Sequence, residues 1–362
     1  MRTGINAYSI SYQYDDVGNR TQMVKNSVAT SYTYNVNNQL LTETSPDANI
    51  IYAYDYNGNL MSKNDGVNNT TYEWDWRNML VSVTEADGVT AYEYDGIGDR
   101  ISKTQGGVKK KFINDVGLGL VQVLMETDNA GAVQATYNYG NDLISMRRAD
   151  ANSFYHYDGL GTVKQLSDEA GAVVASYVYD SFGNSVSSVS SVANNYGFTG
   201  EQQFAEPDNL VFLRARYYSP QIGRFMSRDP ILTPMQIESH VGWLLPYLNL
   251  IYKPQYLQPY VYALNAPINF SDPSGLSSFK ECFLGCLDKM TGGITGTICA
   301  GYSGFGALIA AAAGSPTLAA LLGAAPAWAT GAVVGCSIGC GILELEWPPS
   351  TPPYPPPYYV WP

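Results

Sequence analysis

The chain is 362 residues long and acidic, with 32 Asp and Glu against 20 Lys and Arg and a net charge of −12. That balance excludes a basic phosphate-binding surface, and with it nucleic acid as a primary partner. Only 14% of residues are charged, whereas Tyr (29) and Gly (35) are abundant, a composition that points to β-structure with many tight turns.

From Met1 to Tyr8 there is no apolar run of the kind a secretory signal carries. Export would need another route, or the segment continues a longer chain; the almost immediate onset of a repeat favours the second. That repeat has a period of 20 residues through five units. Tyr12, Tyr32, Tyr52, Tyr72 and Tyr92 are each followed two positions later by an aromatic: Tyr14, Tyr34, Tyr54, Trp74, Tyr94. Asp15, Asn35, Asp55, Asp75 and Asp95 come next, then turn residues such as Gly18-Asn19, Asn57-Gly58-Asn59 and Gly98-Asp99. Aromatics at i and i+2 share one face of a strand, and Gly or Asn tolerates positive φ in the turn. Runs such as Gln39–Thr44 and Met79–Thr84 are the return strands, so each unit is one hairpin. Stacked units would align their Tyr residues into aromatic ladders.

Beyond residue 105 the strict period lapses but its pieces persist: Tyr137-Asn138-Tyr139, Tyr155-His156-Tyr157-Asp158 and Tyr177-Val178-Tyr179-Asp180. Gly197-Phe198-Thr199-Gly200-Glu201, Leu213–Pro220, Gly223–Pro230 and Asp272-Pro273-Ser274-Gly275-Leu276 follow in that order. The run Tyr12 to Arg20 (Tyr-x-Tyr-Asp-x-x-Gly-Asn-Arg) resembles the YD repeat of RHS proteins and teneurins, and the likeness spans roughly residues 8–276. The later motifs resemble the RHS repeat-associated core domain.

The resemblance implies a mainly β fold, a YD-repeat hairpin strip winding as a partial, cocoon-like shell plugged by the core. It divides the chain into period-20 repeats at 1–105, irregular repeats and core at 106–276, a variable tail at 277–346 and an extended terminus at 347–362. It further implies an aspartic-type self-protease with Arg216, Asp229 and Asp272 as catalytic residues, cutting between Leu276 and Ser277. Two carboxylates held close cannot easily both ionise, so one can activate water while the other polarises the scissile carbonyl, with arginine tuning the balance. The alternative is structural: Asp-Pro as a strand-ending turn, and Arg216 paired with a carboxylate of the sheet. The sequence departs from the family at Asp229-Pro230-Ile231-Leu232-Thr233, where a Gly is usual, and carries an apolar insertion from Pro234 to about Tyr256 that reads as a lid or short helix.

The two histidines are read as an interior sheet residue (His156) and a surface residue (His240). No His/Cys cluster at metal-ligand spacing spans the core, so neither metal nor cofactor is expected.

All five cysteines lie beyond Ser277. Cys282 with Cys286, and Cys336 with Cys340, are i, i+4 pairs that share a helix face; antiparallel helices would bring them together as disulfides in an oxidising space, or they are buried small residues. Met290 to Leu343 is uncharged, and Gly331, Gly335 and Gly339 form a small-residue stripe suited to close helix packing. This gives a short α-helical hydrophobic tail, stored inside the shell, membrane-active outside, or both. Trp347 to Pro362 is Pro- and Tyr-rich and reads as extended polyproline-like chain. With no His and few acids, the tail lacks the groups of a nuclease or deaminase, which leaves membrane permeabilisation or an inactive tip.

The expected function is an encapsulating shell that cuts itself and frees this peptide, in a secreted or cell-surface setting. The expected partners are its own C-terminal peptide as cargo, an immunity protein or secretion-system component, and a target-cell membrane or surface glycans. A non-catalytic module whose Tyr rows stack on glycans, and an inactive fragment of a longer toxin, are the alternatives.

Overall fold

A computed structural model describes residues 9–117, 120–204, 208–230 and 257–276. The chain divides into two compact units, Met1–Glu281 and Cys282–Pro362, and the second lies outside the described residues. The first unit is built on an 18-stranded antiparallel sheet. Its strands are β1 (Ile10–Tyr14), β2 (Arg20–Lys25), β3 (Val28–Tyr34), β4 (Leu40–Thr44), β5 (Asn49–Tyr54), β6 (Leu60–Asn64), β7 (Asn69–Trp74), β8 (Leu80–Glu85) and β9 (Gly88–Tyr94). The series continues with β10 (Arg100–Gln105), β11 (Val108–Asp115), β12 (Gln122–Asp128), β13 (Val133–Tyr139), β14 (Leu143–Arg148), β15 (Ala151–Tyr157), β16 (Val163–Ser167), β17 (Val173–Tyr179) and β18 (Ser185–Ser190). Each strand pairs with its neighbour in sequence, and the sheet crosses residue 105 without a break, β10 pairing with β11 from Ser102↔Lys111 to Gln105↔Val108. The mainly β fold expected from the repeat is the one that forms.

One hairpin explains the period. The Asp after the aromatic pair closes its loop by accepting loop amides: Asp15 Oδ1 receives the N–H of Asn19 at 2.7 Å, and Oδ2 the Asn19 side-chain amide at 2.9 Å. Asp55 and Asp180 repeat this with Asn59 and Asn184. The residue before the last loop position sits at positive φ, as Gly18 (+87°), Asn38 (+61°) and Gly58 (+88°) do, which is why Gly or Asn recurs there. The register slips by one residue at the second aromatic, between Thr33 and Tyr34 and between Ala53 and Tyr54. This bulge turns the second ring so that its polar tip reaches back 14 residues. Tyr34 donates to the Arg20 carbonyl at 2.8 Å, Trp74 Nε1 to that of Leu60 at 2.7 Å, and Tyr94 to that of Leu80 at 2.7 Å.

The first Tyr is buried in four of the five units, where Tyr32, Tyr52, Tyr72 and Tyr92 are 3–5% exposed, and Tyr12 at the start is half-buried. They do not form ladders. Among the described residues no ring contact joins equivalent Tyr residues of successive units, because two strand spacings, about 9.5 Å, separate them. Instead they pack with Leu40, Leu60 and Leu80 against Leu210, Phe212, Tyr217, Ile222 and Met226 of the core segment. The inward-facing position at the start of every return strand reads Arg20, Leu40, Leu60, Leu80, Arg100, and all five are buried. The two arginines are held by rings, Arg20 Cζ lying 4.3 Å from the Phe182 centroid and Arg100 Cζ 3.9 Å from that of Phe212.

His156 corrects an expectation. It is exposed and bonds Ser167 Oγ at 2.8 Å, because Tyr155 and Tyr157 take the inward positions on β15 and the residue between them must face out. His240 and the insertion from Pro234 lie outside the described residues.

Candidate active site

The core segment adds a small sheet of β19 (Gln202–Gln203), β20 (Val211–Leu213), β21 (Arg216–Ser219) and β22 (Arg224–Phe225). All four residues of β21 are buried. β21 forms a tight hairpin with β20, in which Leu213 pairs with Arg216 and Arg214 takes positive φ (+55°). Several sheet groups dock this segment. Leu60 N–H donates to the Met226 carbonyl at 2.9 Å, the Tyr260 hydroxyl to that of Gly58 at 2.9 Å, and both Arg224 and Gln258 donate to Asn19 Oδ1.

Arg216, Asp229 and Asp272 come together although 43 residues separate the two aspartates in the sequence. Arg216 Nη2 lies 3.0 Å from Asp229 Oδ2 and 3.6 Å from Asp272 Oδ2, and each of the three is 2–3% exposed. The rest of the guanidinium is also committed. Nε donates to the Gly275 carbonyl, Nη1 to the Pro259 carbonyl at 3.1 Å, and Cζ sits 3.5 Å from the Phe225 ring centroid. Burial pushes the Arg216 guanidinium down from its ordinary value, while the charges of Asp229 and Asp272 push it back up; arginine stays protonated through such opposition. The carboxylate partners of Arg216 thus come from the core segment itself, not from the large sheet.

The Asp-Pro-Ser-Gly-Leu run is a tight turn pressed onto β20 and β21. Gly275 N–H donates to the Asp272 carbonyl at 3.3 Å, and Ala215 N–H to that of Ser274 at 3.2 Å. Gly275 has φ +66°, and a Cβ there would meet the Leu213 carbonyl oxygen at 2.2 Å and Arg216 N at 3.0 Å. Conformation and contact both demand glycine. Arg214 clamps the same turn, donating to the Pro273 carbonyl while pairing with Glu201 at 2.8 Å. Burial pushes the Glu201 carboxyl up, and Arg214 opposes the shift. Ser271 and Pro273, the neighbours of Asp272, line a cavity of about 300 Å³ with Tyr139, Tyr157, Glu201 and Arg214.

Leu276 ends this described run. Ser277, on the other side of the expected cut, lies outside the described residues, as do Cys282, Cys286, Cys336 and Cys340. Sequence reasoning missed Phe225, Ser274, Arg214 and the Pro259 carbonyl. Phe225, Ser274 and Arg214 carried a signal, since each lies inside one of the motifs named above; the Pro259 carbonyl carried none.

An open antiparallel hairpin repeat whose inner face holds a buried, Arg-centred plug defines a YD-type repeat shell protein. The chain belongs to the teneurin YD-shell family, whose model matches residues 2–268. It is similar to the tRNA nuclease WapA of Bacillus subtilis (strain 168), 37% identical over 138 residues, covering 37% of this chain and 6% of that protein. It is also similar to the toxin protein Tse5 of Pseudomonas aeruginosa, 36% identical over 124 residues, covering 34% of this chain and 8% of that protein. The chain therefore spans under a tenth of the length of these relatives. Among solved structures, the crystal structure of TcdB2-TccC3-Cdc42 covers 76% of this chain and 17% of its own at 17% identity, with a TM-score of 0.41.

Proposed function

We propose that this chain is part of a toxin-type YD shell whose core cuts the Leu276–Ser277 bond and frees the segment beginning at Ser277 as cargo. The observation that carries the reading is a single buried guanidinium, Arg216, in reach of the Asp229 and Asp272 carboxylates and bonded to the Gly275 carbonyl, one residue before the cut. One carboxylate activates a water, the other delivers a proton to the departing Ser277 amine, and Arg216 steadies the charge between them. The cavity lined by Ser271 and Pro273, on either side of Asp272, has room for water and supports its supply. The relation to toxins such as Tse5 supports a toxic cargo. An immunity protein and a target-cell membrane are the partners that cargo implies, with release to the cell surface or beyond.

Intact-mass spectrometry of the purified chain tests this. The expected products are residues 1–276 and 277–362, absent in Asp229→Asn and Asp272→Asn; an intact parent chain at every pH from 4 to 8 overturns it.

A second reading, glycan binding, has an observation of its own. The buried Tyr rows cannot serve as stacking platforms, but Tyr56 and Trp76 stand fully exposed at the same position of successive loops. Glycan binding by the uncut Asp272→Asn chain, lost in Tyr56→Ala/Trp76→Ala, would favour it.

A further inference from the structure

Asp272 is the less firmly held of the two carboxylates on the arginine side, 3.6 Å from Arg216 Nη2 against 3.0 Å for Asp229. Its other oxygen has a second anchor. The Ser274 hydroxyl donates to Asp272 Oδ1 at 3.1 Å. The same hydroxyl oxygen accepts the N–H of Leu276 at 3.2 Å. Ser274 is 5% exposed, so water does not compete freely for these bonds. One hydroxyl thus joins a site carboxylate to the backbone of the residue whose carbonyl is to be cut.

We propose that Ser274 is a positioning residue for self-cleavage, holding Asp272 in one rotation and the Leu276 backbone in register with it. The proposal rests on the self-cleavage reading above. A carboxylate turns about χ2 over a broad, shallow well, so contacts to both of its oxygens are needed to set its plane. Ser274 bonds Oδ1 while Arg216 reaches Oδ2. The Leu276 amide nitrogen, two covalent bonds from the scissile carbonyl carbon, is held by the same oxygen, so acid group and substrate bond move together. The rest of the turn cannot relax to compensate, because Gly275 is pressed against the Leu213 carbonyl. Serine turns of this kind are common on protein surfaces. This one differs in that its acceptor is a buried carboxylate paired with a buried arginine.

Among the groups facing Asp272 are Arg216, Asp229 through that arginine, Ser274, and Tyr262, whose own value is pushed up by burial. Ser274 is a neutral donor to the carboxylate, and a donor favours the ionised form. Its loss shifts the acidic limb of the cleavage profile toward higher pH, which a merely structural role would not do.

The test follows cleavage after a pulse of cell-free synthesis, from pH 4 to 8, reading the fragment that begins at Ser277 by mass. Ser274→Ala and Ser274→Cys are expected to cut roughly 10–100-fold more slowly, as for lost supporting hydrogen bonds elsewhere, with the acidic limb moved up. Ser274→Thr, which keeps the hydroxyl, is expected to cut within about threefold of the parent. Thermal melts of Asp229→Asn and Asp229→Asn/Ser274→Ala, both uncut, show whether the alanine chain folds; Ser274→Cys carries the test if it does not. Ser274→Ala or Ser274→Cys cutting at the parent rate with an unmoved limb overturns the role of Ser274 alone. An uncut parent overturns the self-cleavage reading, and this inference with it.

Discussion

The regular sheet and the core segment bury polar groups by opposite means. In the sheet, the second aromatic of a unit reaches a carbonyl 14 residues back, as Tyr34, Trp74 and Tyr94 do, and loop aspartates such as Asp15 and Asp55 bond the residue four ahead. These ties run within one or two units, so damage to one of them stays local, although Tyr72 and Arg100 also bond the core segment. In the core, Arg224 and Gln258 reach Asn19, more than 200 residues away, and Arg216 gathers partners from three separate stretches. Groups that depend on partners from several distant stretches are lost together when one stretch shifts. The lesson is that a repeat supplies a tolerant frame, while the exacting geometry is confined to the short segment seated on it.

That contrast can be broken most severely at the site. Asp272→Asn is expected to reduce appearance of the 277–362 fragment by at least about 10³-fold, as with removal of a principal catalytic group, read by intact mass. Next comes Arg216→Ala, which leaves two buried carboxylates without their cation and should destabilise the first unit by about 3–5 kcal/mol. Its sheet counterpart, Leu60→Ala, should cost about 2–5 kcal/mol through the cavity it leaves. Urea unfolding of both variants in an uncut background, with the core followed by Tyr environment and the sheet by far-UV dichroism, sharpens the difference. Loss of the core signal ahead of the sheet signal is expected only for Arg216→Ala. Coincident loss in both variants would show that frame and plug do not fail separately.

A smaller effect is expected at one sheet hydroxyl. Tyr94→Phe removes the bond to the Leu80 carbonyl and the longer one to the Tyr217 hydroxyl and should cost about 1–3 kcal/mol, measured by the same unfolding curves. The pH dependence probes one further buried group. Glu126 is fully buried; burial pushes its carboxyl up, but the charges and hydrogen bonds of Lys110 and Arg148 outweigh that and hold it below its ordinary value. A depressed folded value means the unfolded chain binds the proton more readily. The stabilisation is therefore complete above the unfolded carboxyl range, near pH 4.3, and is lost as pH falls through the folded value. Glu126→Gln should flatten this acid limb relative to the parent. An unchanged limb would assign acid sensitivity to other carboxylates.

The repeat made much of the fold readable in advance. Aromatic spacing, the Asp and the Gly or Asn that follow are local signals, and the hairpin they form is a local structure. The approach of Arg216, Asp229 and Asp272 was legible only through the order of motifs, because no spacing rule brings together residues 43 apart across an insertion. His156 was misplaced because the strand pattern marks which residues share a face, but the inward face is the one on which a partner packs.

By itself the sequence determined the period, the strand and turn positions, and the family, since each depends on interactions within one or two units. The tertiary structure alone decided that the Tyr rows are buried and unstacked, that Arg20 and Arg100 end a buried leucine row, and that Ser274 bridges Asp272 to Leu276. The reason is physical. A hydrogen bond of 3 Å between distant segments depends on where the whole backbone places both ends, whereas a turn depends only on the residues that make it.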